Sequence, residues 1–367
     1  MHEQSPAPLS FCVLPSRLPG RELPEWIDHD DQEARDFFDN NTLFYDVFRA
    51  SKPGSVFAVG PALQRPFRTF IKQANFRLDG APAQVTEVSQ SRRSCTLEFT
   101  SSVAAPSILE VEHPSISFTQ AIVPSMIDKY AGTRALFTLS HNNELDWIRD
   151  WARLHVDMQG VESIVLFDNA STKYGVRDLL GVLGSVPGLK AFDVVSVPFQ
   201  YGPTGSTREQ ISSRFLQFGV FEIARRRFLQ QAKGVLNLDI DELAFSPPNL
   251  TVFDQLGMQK EGFLTLPGEW RYPKRGAALR HASHVMRAEP ETETMYPKWC
   301  LDPQGPQKDK IWRTHGLKGL PEQISENFGF LHCRMISNHW HYDRAEFAAR
   351  DLVTDPLAQR VLGDEAA

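Results

Sequence analysis

The chain has 367 residues, 41% of them hydrophobic and 23% charged, with a formal net charge of −6. These are ordinary globular values, and the length allows a large core and two domains. The negative balance argues against a binder of duplex DNA or RNA, which presents a basic face. No apolar run reaches the roughly eighteen residues of a membrane span, and the start, Met-His-Glu-Gln-Ser-Pro-Ala-Pro, has neither the basic start nor the apolar core of a secretory signal. Cys12, Cys95, Cys300 and Cys333 are scattered without a Cys-x-x-Cys pair. A cytoplasmic, reducing location is the expectation.

Residues 1–42 are rich in proline and charge and read as an N-terminal arm. From 43 to 130 short β-rich runs recur at 43–48, 55–59, 67–71, 96–99, 108–111 and 116–118, punctuated by Gly, Pro, Asn and Asp. That spacing predicts a small sandwich-like accessory domain. Its aromatics, Phe76 and Phe118 among them, read as core residues, the alternative being an exposed face that holds a sugar ring.

From 131 to 355 strands and helices alternate, and 356–367 form a tail. A strand at 135–139 precedes a helix at 144–158, with Leu145, Ile148, Ala152 and Val156 on one face and Gly160 placed to close it. His155 on that helix reads as a core histidine. Further strands are expected at 163–167, 192–197, 235–241 and 263–266, and helices at 175–183 and 206–232. The last of these starts near Ser206 or Thr207, and Arg225, Arg226 and Arg227 suit its C-terminal end. Strands joined through helices mean an α/β fold with a mainly parallel sheet, helices on both faces, and ligands at the carboxyl ends of the strands.

Val235, Leu236, Leu238 and Ile240 make an apolar strand that ends in Asp239, Asp241 and Glu242. Residues two apart on a strand face one way, so Asp239 and Asp241 are expected to converge, with Ile240 turned into the core. Converging carboxylates call for a hard divalent ion, Mn²⁺ or Mg²⁺, which carries phosphates as further ligands. Two more polar turns follow strands: Asn142-Asn143-Glu144 and Asp168-Asn169-Ala170-Ser171. In a parallel sheet all three lie at one edge, which favours a nucleotide–metal site. His281 and His284 lack two further ligands at zinc spacing.

Several of these motifs resemble one family. His141-Asn142-Asn143-Glu144, Asp150-Trp151 with His155, and the run from Gly160 to Ser171 are similar to the opening block of family 2-like and family 92-like glycosyltransferases. Leu236 to Leu243 resembles that family's Asp-x-Asp-Glu block. His339-Trp340-His341-Tyr342 with Arg344 and Phe347 resembles its closing His-Tyr element. Departures are Asn142 where Lys or Arg is usual, Asp150 for Glu, and one extra residue before Gly160. The resemblance covers roughly 134–350 and leaves 1–125 outside it.

It implies a GT-A fold, a nucleotide-sugar donor (a UDP-sugar first among them) and a glycan or polysaccharide acceptor. Asn143, Glu144, Asp168 and Asn169 would lie on the nucleotide, with Glu144 and Asp168 at the nucleoside. Lys298 and His315 stand at basic positions that can meet phosphates. Asp239, Asp241 and His341 would hold the metal, with His339 competing for the histidine role because the two are two apart. An acceptor hydroxyl also needs a base, for which Glu242 and Glu269 are the candidates. The alternatives are a nucleotidyltransferase, although its Gly-rich basic loop is missing, and a non-catalytic sugar-binding module, against which the intact acids argue.

Overall fold

The computed structural model describes residues 6–23, 25, 32–202, 214–291, 293, 295–336 and 351–362. The chain packs as two compact units, one of residues 7–129 with 196–230, the other of 1–6, 130–195 and 231–367. Among the described residues no helix is long and apolar enough to cross a membrane. All four cysteines are free and buried.

The first unit is β-rich, as its alternating runs predict. One antiparallel sheet orders its strands as Asp46–Arg49, Ser55–Pro61, Ser94–Thr100 and Gln84–Gln90. The other runs Ile116–Ala121, Ile108–His113, Asn75–Leu78 and Ala81–Pro82. Val47, Val56, Leu97 and Phe99 from one sheet and Phe76, Leu109 and Val111 from the other share a single core, and Phe118 packs against it. The run at 67–71 is not a strand. It belongs to a helix, Arg65–Gln73, with Pro in its first turn and Phe67 and Phe70 buried three apart on one side.

The helix expected over 206–232 is Phe215–Ile223, followed by one wider π-type turn, Ala224–Phe228; residues 203–213 lie outside the described ones. A side chain at Gly219 would meet the Tyr45 ring at 2.5 Å, so glycine lets that ring lie against the helix. The three arginines stand in the last turn of this helical stretch, as expected, and also make ion pairs. Arg225 and Arg226 hold buried Glu222 at 3.0 and 2.9 Å. Arg227 reaches Asp46 at 2.9 Å with both side chains fully buried, and donates to the Pro8 carbonyl as well.

The second unit is α/β. In chain order it contains strands β1 (Arg134–Ser140), β2 (Ser163–Asp168), β3 (Ala191–Ser196), β4 (Gly234–Asn237), β5 (Glu242–Phe245), β6 (Phe263–Leu266), β7 (Gly268–Arg271), β8 (Lys298–Leu301) and β9 (Gly329–Cys333). Its main sheet runs β3-β2-β1-β4-β8-β6. Strand β1 is parallel to β2 and β4, and β8 is antiparallel to β4 and β6. Every residue of β2 is buried, as expected of a parallel strand covered on both faces. A smaller sheet, β5-β9-β7, continues from the end of β4.

Helix α1 (Leu145–Gln159) buries Trp147, Ile148, Trp151, Ala152 and His155, and ends at Gly160 in the left-handed conformation, φ 61°. His155 is the core histidine its position predicts. Its Nδ1–H donates to the Trp151 carbonyl at 2.8 Å, and its Nε2 accepts the Ala244 N–H at 3.1 Å. Burial lowers its pKa from 6.5 to about 4. A histidine held neutral by the fold contributes stability that is complete above pH 6.5 and is lost as the pH falls toward 4. The loss amounts to about 3 kcal/mol. Urea unfolding at stepped pH is expected to show that acid-side slope, and His155→Gln to reduce it; an unchanged slope in the variant would count against the assignment.

Candidate functional site

Strands β1, β2 and β4 end at one edge of the main sheet, and antiparallel β8 begins there with Lys298. The acidic motif lies at this edge, in a turn rather than on a strand. Strand β4 stops at Asn237, and the Glu242 N–H donates back to the Asp239 carbonyl at 3.0 Å. Ile240 is buried in the core, as expected, but Asp239 and Asp241 have different partners.

Lys298 is the first partner. Its Nζ lies 2.6 Å from Asp239 Oδ2 and 2.9 Å from Glu242 Oε2, and its side chain is 2% exposed. Glu242 Oε2 also accepts the Asp239 N–H at 2.8 Å, so one buried carboxylate closes the turn and holds the ammonium. Burial pushes the Glu242 carboxyl upward, with Lys298 pulling against it and Asp239 adding to it. Burial works against the Lys298 ammonium too, but Asp239 and Glu242 outweigh it and hold its pKa above the usual value.

His332 is the second partner. Its Nε2–H donates to Asp241 Oδ2 at 2.9 Å, while the Cys333 N–H donates to the Asp241 carbonyl at 2.7 Å. Glu242 lies opposite His332 across β5 and β9, and His332 lies opposite Trp270 across β9 and β7, so all three share one face. The Trp270 ring stacks on the imidazole, with centroids 4.0 Å apart and an interplanar angle of 18°. The Arg334 guanidinium covers Trp270 at 4.7 Å.

One ligand atom from each of Asp241, Glu242 and His332 falls within 4.8 Å of the others. Two carboxylate oxygens and an imidazole nitrogen form a donor set able to hold a divalent metal ion. The predicted set was Asp239, Asp241 and His341. Asp241 is in the group, whereas Asp239 turns to Lys298; His341 and His339 lie outside the described residues. Sequence reasoning passes over His332, a lone histidine in the apolar run Phe330-Leu331-His332-Cys333 that reads as core strand. Only the pairing of β9 with β5 reveals it.

The residues expected at the nucleotide meet at the ends of β1 and β2. Asp168 is buried and accepts the Ser171 hydroxyl at 2.5 Å and the Ser171 N–H at 3.3 Å. Burial raises its pKa, and the Ser171 bonds oppose this. Asn143 donates to Ser140 Oγ at 2.9 Å. The Asn169 N–H donates to the Ser140 carbonyl at 2.8 Å, and its own carbonyl accepts His141 Nδ1–H at 2.6 Å. Glu144, just before α1, pairs with Lys173. Asn142, where the family resemblance calls for a base, binds the Thr172 and Lys173 N–H groups at 2.7 and 3.1 Å and joins the two turns.

The remaining candidates lie elsewhere. Lys298 is engaged with the acids rather than with this turn. His315 sits on the same flank, donating from Nδ1 to the Pro297 carbonyl at 3.1 Å and stacked on Tyr296. Glu269 is not brought to the acidic group. Neighbouring residues of β7 face opposite ways, and Trp270 faces His332, so Glu269 points to the other side, where it pairs with Arg271. Glu242, the other base candidate, is buried under Lys298.

No protein-family model and no curated protein matches the chain. Among solved structures, it is similar to S. aureus TarS 1–349 in complex with UDP-GlcNAc (11% identity, 56% of this chain and 60% of that one, TM-score 0.34). Another is core-mannan synthase A from Aspergillus fumigatus in its Mn/GDP form (12% identity, 36% of this chain and 42% of that one, TM-score 0.26). A third is the galactosyltransferase LgtC in complex with donor and acceptor sugar analogs (12% identity, 48% and 60%, TM-score 0.28). The chain thus spans between 42% and 60% of those three chains. At such TM-scores, what the site can do rests on its own residues.

Proposed function

We propose that this chain is a metal-dependent glycosyltransferase that moves a sugar from a nucleotide-sugar donor, a UDP-sugar foremost, to a hydroxyl of a glycan acceptor. The observation that carries this reading is the group at the end of β4: Asp241, Glu242 and His332 within ligating reach of one another, with Lys298 buried among the acids. A divalent ion held by these three would neutralise charge developing on a diphosphate leaving group.

The chain's own groups divide the remaining work. Asp239, 43% exposed at the side chain, is the acid of the turn most open to an incoming substrate. Lys298 keeps the acids compatible with one another in a buried place. The turn built by Ser140, Asn143, Asp168 and Ser171 lies two strands away from Lys298's β8, across β4 and β1, on the flank suited to the nucleoside. Asp168 can accept a hydrogen bond from a ribose hydroxyl or a base N–H. Asp168→Ala is therefore expected to raise the donor KM by a loss of about 1.5–3 kcal/mol. Steady-state kinetics against donor and acceptor decide this, and an effect confined to the acceptor would contradict the placement.

Release of nucleoside diphosphate from a panel of nucleotide sugars, with Mn²⁺ or Mg²⁺, tests the whole reading. Release of pyrophosphate from a nucleoside triphosphate and a sugar phosphate would indicate a nucleotidyltransferase instead. Binding without turnover would indicate a sugar-binding module.

A further inference from the structure

His281 is fully buried in a single helical turn, His281–Ser283, and takes no part in the ligand group. Its Nε2–H donates to the Ile240 carbonyl at 2.7 Å, across 41 positions of sequence. Ile240 is the middle residue of the Asp239–Asp241 motif. The three motif carbonyls are all held: Asp239's by the Glu242 N–H, Asp241's by the Cys333 N–H, and Ile240's by this imidazole. Only the Ile240 bond comes from a side chain. The Ile240 carbonyl and the Asp241 N–H belong to one rigid peptide plane, so whatever fixes the carbonyl also fixes the direction in which Asp241 leaves the turn.

The imidazole is anchored for this task. The Trp147 indole donates to the Leu279 carbonyl at 2.9 Å, and Arg280 forks onto Asp150 with two bonds of 2.6 Å, tying the segment to α1. Donation from Nε2 leaves the Nδ1 lone pair buried, with no hydrogen-bond partner among the described residues. An unmet buried polar atom is destabilising, so His281 is a poor choice as mere core filling. Burial lowers its pKa to about 4, which is consistent with a neutral ring.

We propose that His281 is a positioning residue for Asp241, fixing the Ile240–Asp241 peptide so that the Asp241 carboxylate meets His332 and Glu242. The link to metal binding rests on the functional reading above; the clamp on the turn does not.

Two substitutions separate the roles. His281→Phe keeps a ring and removes the donor, while His281→Gln keeps a donor. In the presence of UDP, His281→Phe is expected to weaken Mn²⁺ binding, followed by electron paramagnetic resonance, by at least about tenfold. His281→Gln should recover most of the affinity. Amide exchange at Glu242, whose N–H closes the turn, should accelerate in the Phe variant and not in the Gln variant.

A folded His281→Phe protein with parental exchange at Glu242 and parental Mn²⁺ affinity overturns the proposal. If the parent binds no Mn²⁺ with UDP, the metal reading fails, and the exchange result still decides the clamp. Should His281→Phe not fold, the ¹⁵N shifts of His281 in the parent decide: a neutral ring protonated at Nε2 supports the clamp, and a proton on Nδ1 overturns it.

Discussion

Asp241→Asn is expected to abolish sugar transfer while leaving the fold in place. The amide oxygen can still accept the His332 Nε2–H, and the backbone bond from Cys333 to residue 241 is untouched. What disappears is one of the two carboxylate charges in the ligand group. Removing a group that stabilises developing charge typically slows a reaction by about a hundred- to a thousandfold, and loss of a metal ligand belongs at or beyond the upper end. Release of nucleoside diphosphate under saturating Mn²⁺, measured beside thermal melting, checks both halves. Turnover at the parental rate would remove Asp241 from the chemistry. Asp239→Asn serves as the comparison: Asp239 faces Lys298 rather than the ligand group, so its loss should weaken Mn²⁺ binding less.

Lys298→Met is expected to cause the largest loss of stability. The ammonium is 2% exposed and is shared between Glu242, 4% exposed, and the more open Asp239. Methionine fills similar space and leaves Glu242 buried without its cation. Breaking a buried pair in this way costs about 3–5 kcal/mol, far more than the pair contributes relative to an apolar replacement. Most of that cost falls on Glu242, because solvent screens the exposed side of Asp239. Urea unfolding of parent and variant measures the difference. Mn²⁺ should return part of the loss in the variant by binding the folded state. Equal unfolding midpoints would show that Lys298 is not what makes the acids compatible.

The α/β unit was legible where burial imposes a repeating pattern. Strand β2 is an unbroken apolar run because both of its faces are covered, and α1 shows its buried face and its Gly160 stop in one line of sequence. The region 65–73 misleads because Phe67 and Phe70, set among β-rich runs, pass for part of a strand when they are one side of a helix. At the site, Asp239, Asp241 and Glu242 stand together in sequence and were visible. Their partners were not. His332 is 91 positions from Asp241, and Lys298 is 59 from Asp239. Neither has a local signature, because a histidine inside an apolar strand and a lysine at a strand start are common. Nor does sequence show that the motif lies in a turn: the apolar run continues through Leu238 and Ile240 after the ladder has stopped at Asn237.

The β-rich unit is not contiguous in sequence, since residues 196–230 belong to it along with 7–129. Its buried Asp46 finds its arginine on the returning segment, and Tyr45 rests against Gly219 there. A fragment ending at residue 129 would carry a buried acid with no counter-charge and an aromatic ring facing an empty slot. A fragment of the α/β unit would have to span a stretch that folds elsewhere. Neither half is a cassette that could be cut out and grafted intact onto another protein. In a nascent chain, the first unit also cannot complete its core until the α/β strands up to Val195 have already been made.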